Sequence, residues 1–166
     1  RRGLHRVPGM AGLPLTVCFW DYDRTRPLLD GRIAIEGCDA RYVVLRPEEA
    51  FARAFGSAEF DVTEISFSNY MTATSHGRAA YRAIPVFLSR TFRHSSIFIR
   101  TDRGIRKPED LAGKTMGLQE YDMTAALVVR GVLRDEYGIA PSDIAWRVGD
   151  VEAPVRDYIT DFQVGD

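Results

Sequence analysis

Apolar residues along this chain come in short runs, each bounded by turn-forming residues. Residues 15–20 (LTVCFW) make a continuous apolar run suited to a buried strand. Similar runs at 40–45 (ARYVVL), 60–66 (FDVTEIS), 83–88 (AIPVFL), 96–100 (SIFIR), 114–118 (KTMGL) and 144–148 (IAWRV) predict further strands. Helical signals lie between them. Asp23 is a candidate cap for a helix running to about Leu29. Pro47, Glu48 and Glu49 open a second helix, because Pro fits the first turn and acids suit the positive dipole end. Ala50, Phe51, Ala54 and Phe55 share one face of it, and Gly56 stops it. Ser68 is placed to cap a third helix that ends near Gly77. Residues 108–111 suit a short helical turn, and 123–137 form the longest helix, closed by Gly138.

Strands separated by helices predict an α/β fold with mainly parallel sheets. The rhythm breaks after residue 100, where TDRGIRKPEDLAGKTMGL reads as a crossover from one sheet to another. The expected organisation is therefore a first α/β lobe over 13–101 and the beginning of a second over 102–156. Residues 1–12 are expected to be a disordered or non-native tail, with Met10 as a natural start. Residues 157–166 are expected to be an irregular end.

With 166 residues, 45% of them apolar, the chain can build a core of its own. Its formal net charge of -1 argues against broad attraction to nucleic acid or anionic membrane. Only Lys107 and Lys114 are lysines; the other 20 basic residues are arginines. No apolar run approaches the roughly 20 residues that cross a bilayer, so membrane insertion is not expected. No secretory signal is visible, and a cytoplasmic location follows, or a periplasmic or extracellular one for a transport role. Cys18 and Cys38 make no disulfide framework, and no spacing signals zinc. Cys18 reads as a small buried hydrophobe.

The segment IRKPEDLAGKTMGL (105–118) resembles the crossover of type II periplasmic-binding-protein folds. That resemblance implies two α/β lobes, joined by hinge strands, that close over a small ligand. Four further blocks are WDYDRTRPLLDG (20–31), FDVTEISFSNYM (60–71), IPVFLSRTFRHSSIFI (84–99) and EYDMTAALVVRGVLRDEYGI (120–139). Together they are similar to the 4,5-dihydroxyphthalate decarboxylase family, over about residues 13–155 and over its N-terminal half only. The resemblance implies a lyase that converts 4,5-dihydroxyphthalate to protocatechuate and CO2. The alternative is a solute-binding protein that captures a small aromatic or carboxylate ligand for uptake.

Ring hydroxyls can supply the electrons for such a decarboxylation, so that logic requires no organic cofactor. The site needs cations or helix N-termini for carboxylates, polar groups for hydroxyls, and one proton donor. Of the three histidines, only His94 falls in a block; His5 lies in the tail and His76 at a helix end. His94 is the candidate proton donor, or else it fixes a turn. Arg90 and Arg93 flank it and can each hold a carboxylate through two parallel bonds, or serve as surface charge. Ser95 and Ser96 can donate to a carboxylate or simply start a strand. Asp21, Tyr22 and Arg24 follow the first strand, where open α/β sheets bind ligands. Asp21 can hold a phenol or a metal, though no spacing demands a metal. Ser66, Ser68, Asn69 and Tyr70 stand in the corresponding place after the third strand, and a helix N-terminus there is a ready anion site. Tyr121 can stack on a ring, Thr124 can hold a carboxylate, and Met123 reads as core filling. A chain of this extent is expected to expose apolar surface and either to form homo-oligomers through it or to be poorly soluble.

Overall fold

The computed structural model describes residues 12–149. The tail expected over 1–12 lies outside them except for Gly12, and so do residues 150–166. The chain divides into two compact units, one ending at Ile65 and one beginning at Ser66.

The first unit is built on a three-stranded parallel sheet in the order β2-β1-β3. β1 (Leu13–Phe19) pairs along its whole length with β2 (Cys38–Val44), and its far end pairs with β3 (Val62–Thr63). The buried half of β1 is Val17, Cys18 and Phe19, the apolar run that the sequence advertises. A short helix, α1 (Arg26–Leu29), links β1 to β2, and α2 (Pro47–Ser57) links β2 to β3. α2 turns Ala50 and Ala54 inward; small side chains there let the helix approach the sheet. Phe60 completes this core.

The second unit opens with α3 (Phe67–Ser75). An irregular stretch follows, containing a 3-10 turn at His94–Ser96. A two-stranded parallel sheet then pairs β4 (Thr115–Leu118) with β5 (Ala145–Val148), joined through α4 (Thr124–Tyr137). Leu111, Val129, Leu133, Ile139 and Ile144 form its core, with Met116 and Trp146 packed against it. α4 ends where Gly138 takes φ +68°, a conformation that costs glycine little. Asp110 accepts the N–H groups of Arg106 (2.8 Å) and Lys107 (3.2 Å), which anchors the turn at Pro108–Leu111.

Several expectations need correction. Residues 83–88 and 96–100 are apolar enough for strands but form none. A strand needs a neighbour for its backbone groups, and Pro85 removes one donor from the first stretch. Ile84, Phe92 and Phe98 stand 64%, 85% and 92% exposed. The strand expected over 60–66 shrinks to Val62–Thr63. Thr25, not Asp23, occupies the cap position of α1; Asp23 instead takes the Arg24 N–H (2.8 Å) on its own carboxylate. Ser66, not Ser68, holds the cap position of α3. No helix among the described residues is long and apolar enough to cross a membrane.

Two measurements check this packing. Leu133 is 1% exposed, so Leu133→Ala should cost about 2–5 kcal/mol in urea denaturation. The two N–H groups, Arg106's first, hold the Asp110 carboxyl below the usual carboxylate range. A carboxyl depressed in the folded state adds stability above its unfolded pKa, and that share disappears as pH falls through the folded value. Asp110→Ala should therefore lower the urea midpoint at pH 7, and its gap from wild type should narrow below about pH 4.

Candidate functional site

The N-termini of α3 and α4 meet in the second unit. A helix start leaves its first N–H groups without partners inside the helix, and a Ser, Thr, Asp or Asn at the cap position ordinarily covers some of them. Neither helix uses that device. Met123 stands at the cap of α4 and has no oxygen to offer; the Ser66 side chain does not cap α3. Ser66 Oγ instead lies 3.4 Å from Ser68 Oγ and 3.3 Å from Thr124 Oγ1. The Ser68 N–H donates to Thr124 Oγ1 (3.2 Å), and the Ser68 hydroxyl donates to the Asp122 carbonyl. Asn69 Nδ2 donates to Asp122 Oδ2 (2.7 Å). Ser66, Ser68 and Asn69 are all buried.

Beside this cluster lies Arg130, 9% exposed. Its Nη1 donates to the Tyr121 carbonyl (2.6 Å), and its guanidinium carbon lies 3.8 Å from the Tyr121 ring centroid. Tyr121 meets Trp146 edge to face, with centroids 5.9 Å apart. Burial, more than any other cause, pulls the Arg130 guanidinium below its ordinary value; Tyr121 and Asp122 oppose that pull. No carboxylate among the described residues forms an ion pair with it. Hydroxyls, uncapped helix amides and a desolvated cation suit an anion.

The sequence reading placed Ser66, Ser68, Thr124 and Tyr121 here, had Asn69 and Asp122 in the same stretches without a role, and missed Arg130. Arg130 was legible: it falls four residues after Ala126 and three before Leu133, on the buried face of α4. Tyr70 stands apart from the cluster, its phenol accepting the Ala83 N–H (3.2 Å). Met123 is half-buried at the cap position of α4.

His94 is elsewhere in this unit. Its Nε2 lies 3.2 Å from Glu136 Oε1, and both side chains are about half exposed. Glu136 stands twelve residues beyond Thr124 in α4, about 18 Å of helix axis at about 1.5 Å per residue. Arg90, Ser95 and Ser96 are exposed and Arg93 half-buried. His94 is thus held at Glu136 and not at the hydroxyl cluster.

In the first unit, Asp21 is held by Arg26 through two bonds (2.8 and 2.6 Å). The Tyr22 phenol donates to Glu64 Oε1 (2.8 Å), and the Arg24 guanidinium lies over the Tyr22 ring at 4.4 Å. Thr25 braces this turn: it is 4% exposed, and its Oγ1 accepts the Tyr22 N–H (3.1 Å). No three His, Cys, Asp or Glu side chains among the described residues group as metal ligands.

Residues 27–156 match the family described as ABC transporter, phosphonate, periplasmic substrate-binding protein, and the chain belongs to that family. Its fold is accordingly of the type II periplasmic-binding-protein kind, mixed α/β with small parallel sheets. Two curated relatives are each named 4,5-dihydroxyphthalate decarboxylase. That of Comamonas testosteroni is 48% identical over 147 residues, 89% of this chain and 44% of the relative. That of Pseudomonas putida is 45% identical over 147 residues, 89% of this chain and 57% of the relative. The resemblance read in the sequence blocks is therefore borne out, and the chain spans about half the length of these relatives.

Cys18 is fully buried, and that burial pushes its thiol up from its ordinary value. Iodoacetamide at pH 8 should label Cys38 in the folded protein and reach Cys18 only on unfolding, as read by peptide mass spectrometry.

Proposed function

We propose that the protein carrying this chain is a carboxy-lyase that converts 4,5-dihydroxyphthalate to protocatechuate and CO2. The identity of 45–48% to proteins of that name supports this most directly. The anion-ready cluster at the starts of α3 and α4 supports it chemically. In the proposal a substrate carboxylate takes the hydroxyls of Ser66 and Thr124 and the amides at the start of α4, with Arg130 adding positive charge. A proton delivered to the ring carbon bearing the departing carboxylate lets CO2 leave with restoration of aromaticity. The electrons come from the ring hydroxyls, so the proposal uses no organic cofactor. Two lobes belong to the same proposal, expected over 13–101 and 102–156; the two separate parallel sheets support there being two, while the compact units divide at Ile65. A lyase of this kind would work in the cytoplasm.

His94 fits this scheme less well than its block suggested. Its contact with Glu136 far along α4 favours a structural role, and the same separation weakens Arg90 and Arg93 as a carboxylate clamp. The rival reading is a solute-binding protein in the periplasm, favoured by the description of the family to which residues 27–156 belong.

CO2 release from 4,5-dihydroxyphthalate by the whole protein separates the readings. Thr124→Val should raise KM about ten-fold with a smaller change in kcat, the mark of a lost binding contact. His94→Ala should leave turnover close to wild type. A fall of about 10²–10⁴-fold would restore His94 as the proton donor. Tight binding of aromatic dicarboxylates with no CO2 released would hand the case to solute capture.

A further inference from the structure

Ile97 and Arg100 stand at the two ends of a short apolar run, and both take extended backbone angles: φ -100° and ψ 117° at Ile97, φ -78° and ψ 124° at Arg100. Side chains along the run alternate as they do in a strand. Ile97 packs against the core of the second unit, and Phe98 faces out, 92% exposed. The run is held in place at its start, where His94 Nε2 lies 3.2 Å from Glu136 Oε1 and the Ser96 N–H donates to the Arg93 carbonyl (2.9 Å). Among the described residues, however, the N–H groups of Phe98 and Ile99 donate to no protein group. Extended backbone without a neighbour is an open edge, a template for another strand.

Exposed apolar side chains crowd the same segment. Ile84, Val86, Phe87 and Phe92 all face solvent, and Phe87 meets Phe67 of α3 edge to face, with ring centroids 6.3 Å apart. The Ala83 N–H donates to the Tyr70 phenol (3.2 Å), so this part of the segment is fixed to α3. Fixed apolar surface beyond a few scattered residues marks contact with another surface. A second copy offering the same stretch would set like charges against each other, because residues 78–101 contain five arginines and no Asp or Glu. The two relatives point to a different source. This chain covers 44% and 57% of their lengths, so about half of such a polypeptide has no counterpart in it. A segment of the same polypeptide reaches the edge at high effective concentration, with no association between molecules.

We propose that residues 97–100 are an edge strand that pairs, in the whole protein, with a strand from the part of the same polypeptide that this chain does not include, and that this part covers Phe92 and Phe98. The inference holds under either reading of the function. The two stretches of strand composition then differ in role. Pro85 interrupts the donors of 83–88, whereas 97–100 keeps every backbone donor for a partner.

Hydrogen exchange on the whole protein, read by peptide mass spectrometry, tests the pairing. Peptides spanning 97–100 should exchange at least about 100-fold more slowly than unstructured chain. Photocrosslinking tests the occupant. Phe98→p-benzoylphenylalanine and, separately, Phe92→p-benzoylphenylalanine in the whole protein should each crosslink on irradiation to a peptide of the same polypeptide outside this chain. Exchange at the unstructured rate overturns the proposal. So does a covalent dimer, which would assign the surface to a second copy. Crosslinks confined to this chain, or none from either position, overturn it as well. Because exchange is read on wild type, a substituted protein that fails to fold does not shelter the proposal.

Discussion

The second unit depends on how two helix starts are satisfied. The first N–H groups of a helix must find acceptors, and burial makes the need sharper. α3 and α4 meet it jointly: Thr124, first residue of α4, accepts the Ser68 N–H of α3, while Asn69 of α3 holds Asp122 just before α4. The helices are thereby locked start to start. With Met123 at the cap position, α4 gets no cap hydrogen bond from its own cap residue. A Ser or Asp there would stabilise the helix by about 1 kcal/mol and cover the donors. Leaving them uncovered is costly for the fold and useful for binding an anion.

Arg130 follows from the same geometry. A side chain on a helix leans toward the N-terminus, so an arginine seven positions into α4 can reach back to the Tyr121 carbonyl. Its stacking on Tyr121 keeps the guanidinium flat and fixed while leaving hydrogen-bonding edges to spare. A cation fixed in this way gives up less conformational entropy when an anion arrives than a mobile surface arginine does.

Much of this was legible in the sequence, and the failures have physical causes. β1 was readable from its apolar run, α2 from its proline and first-turn acids, and α4 from its apolar period and closing glycine; Gly56, expected to stop α2, lies inside it, and the helix ends at Ser57 with Ala58 in the left-handed cap conformation. The helix starts were misplaced by two residues at Asp23 and Ser68, because Asp, Thr and Ser are all competent caps and local sequence does not rank them. The stretches 83–88 and 96–100 were misread because composition reports what a strand likes, not whether a neighbour is present to pair with it. Single charged residues were the hardest. Arg130 could have been found from its place on the apolar face of α4.

Family membership and relatives' names pull toward capture and chemistry respectively, and the fold accommodates both. An anion cradle of amides and hydroxyls binds a carboxylate equally well whether or not it is about to depart, so it cannot itself raise a rate. Rate enhancement needs a contact that strengthens as charge moves. In a hydroxylated ring, electron density flows from the hydroxyl oxygen toward the carbon that takes the proton, and the hydroxyl proton becomes more acidic as it does so. A fixed acceptor on that hydroxyl is worth more in the transition state than in the ground state, and the hydroxyl recovers its full proton once CO2 has gone. On this argument the step from solute binder to lyase needs little new machinery. An acceptor placed opposite a hydroxyl in a site that already holds carboxylates, together with a source of one proton, is enough.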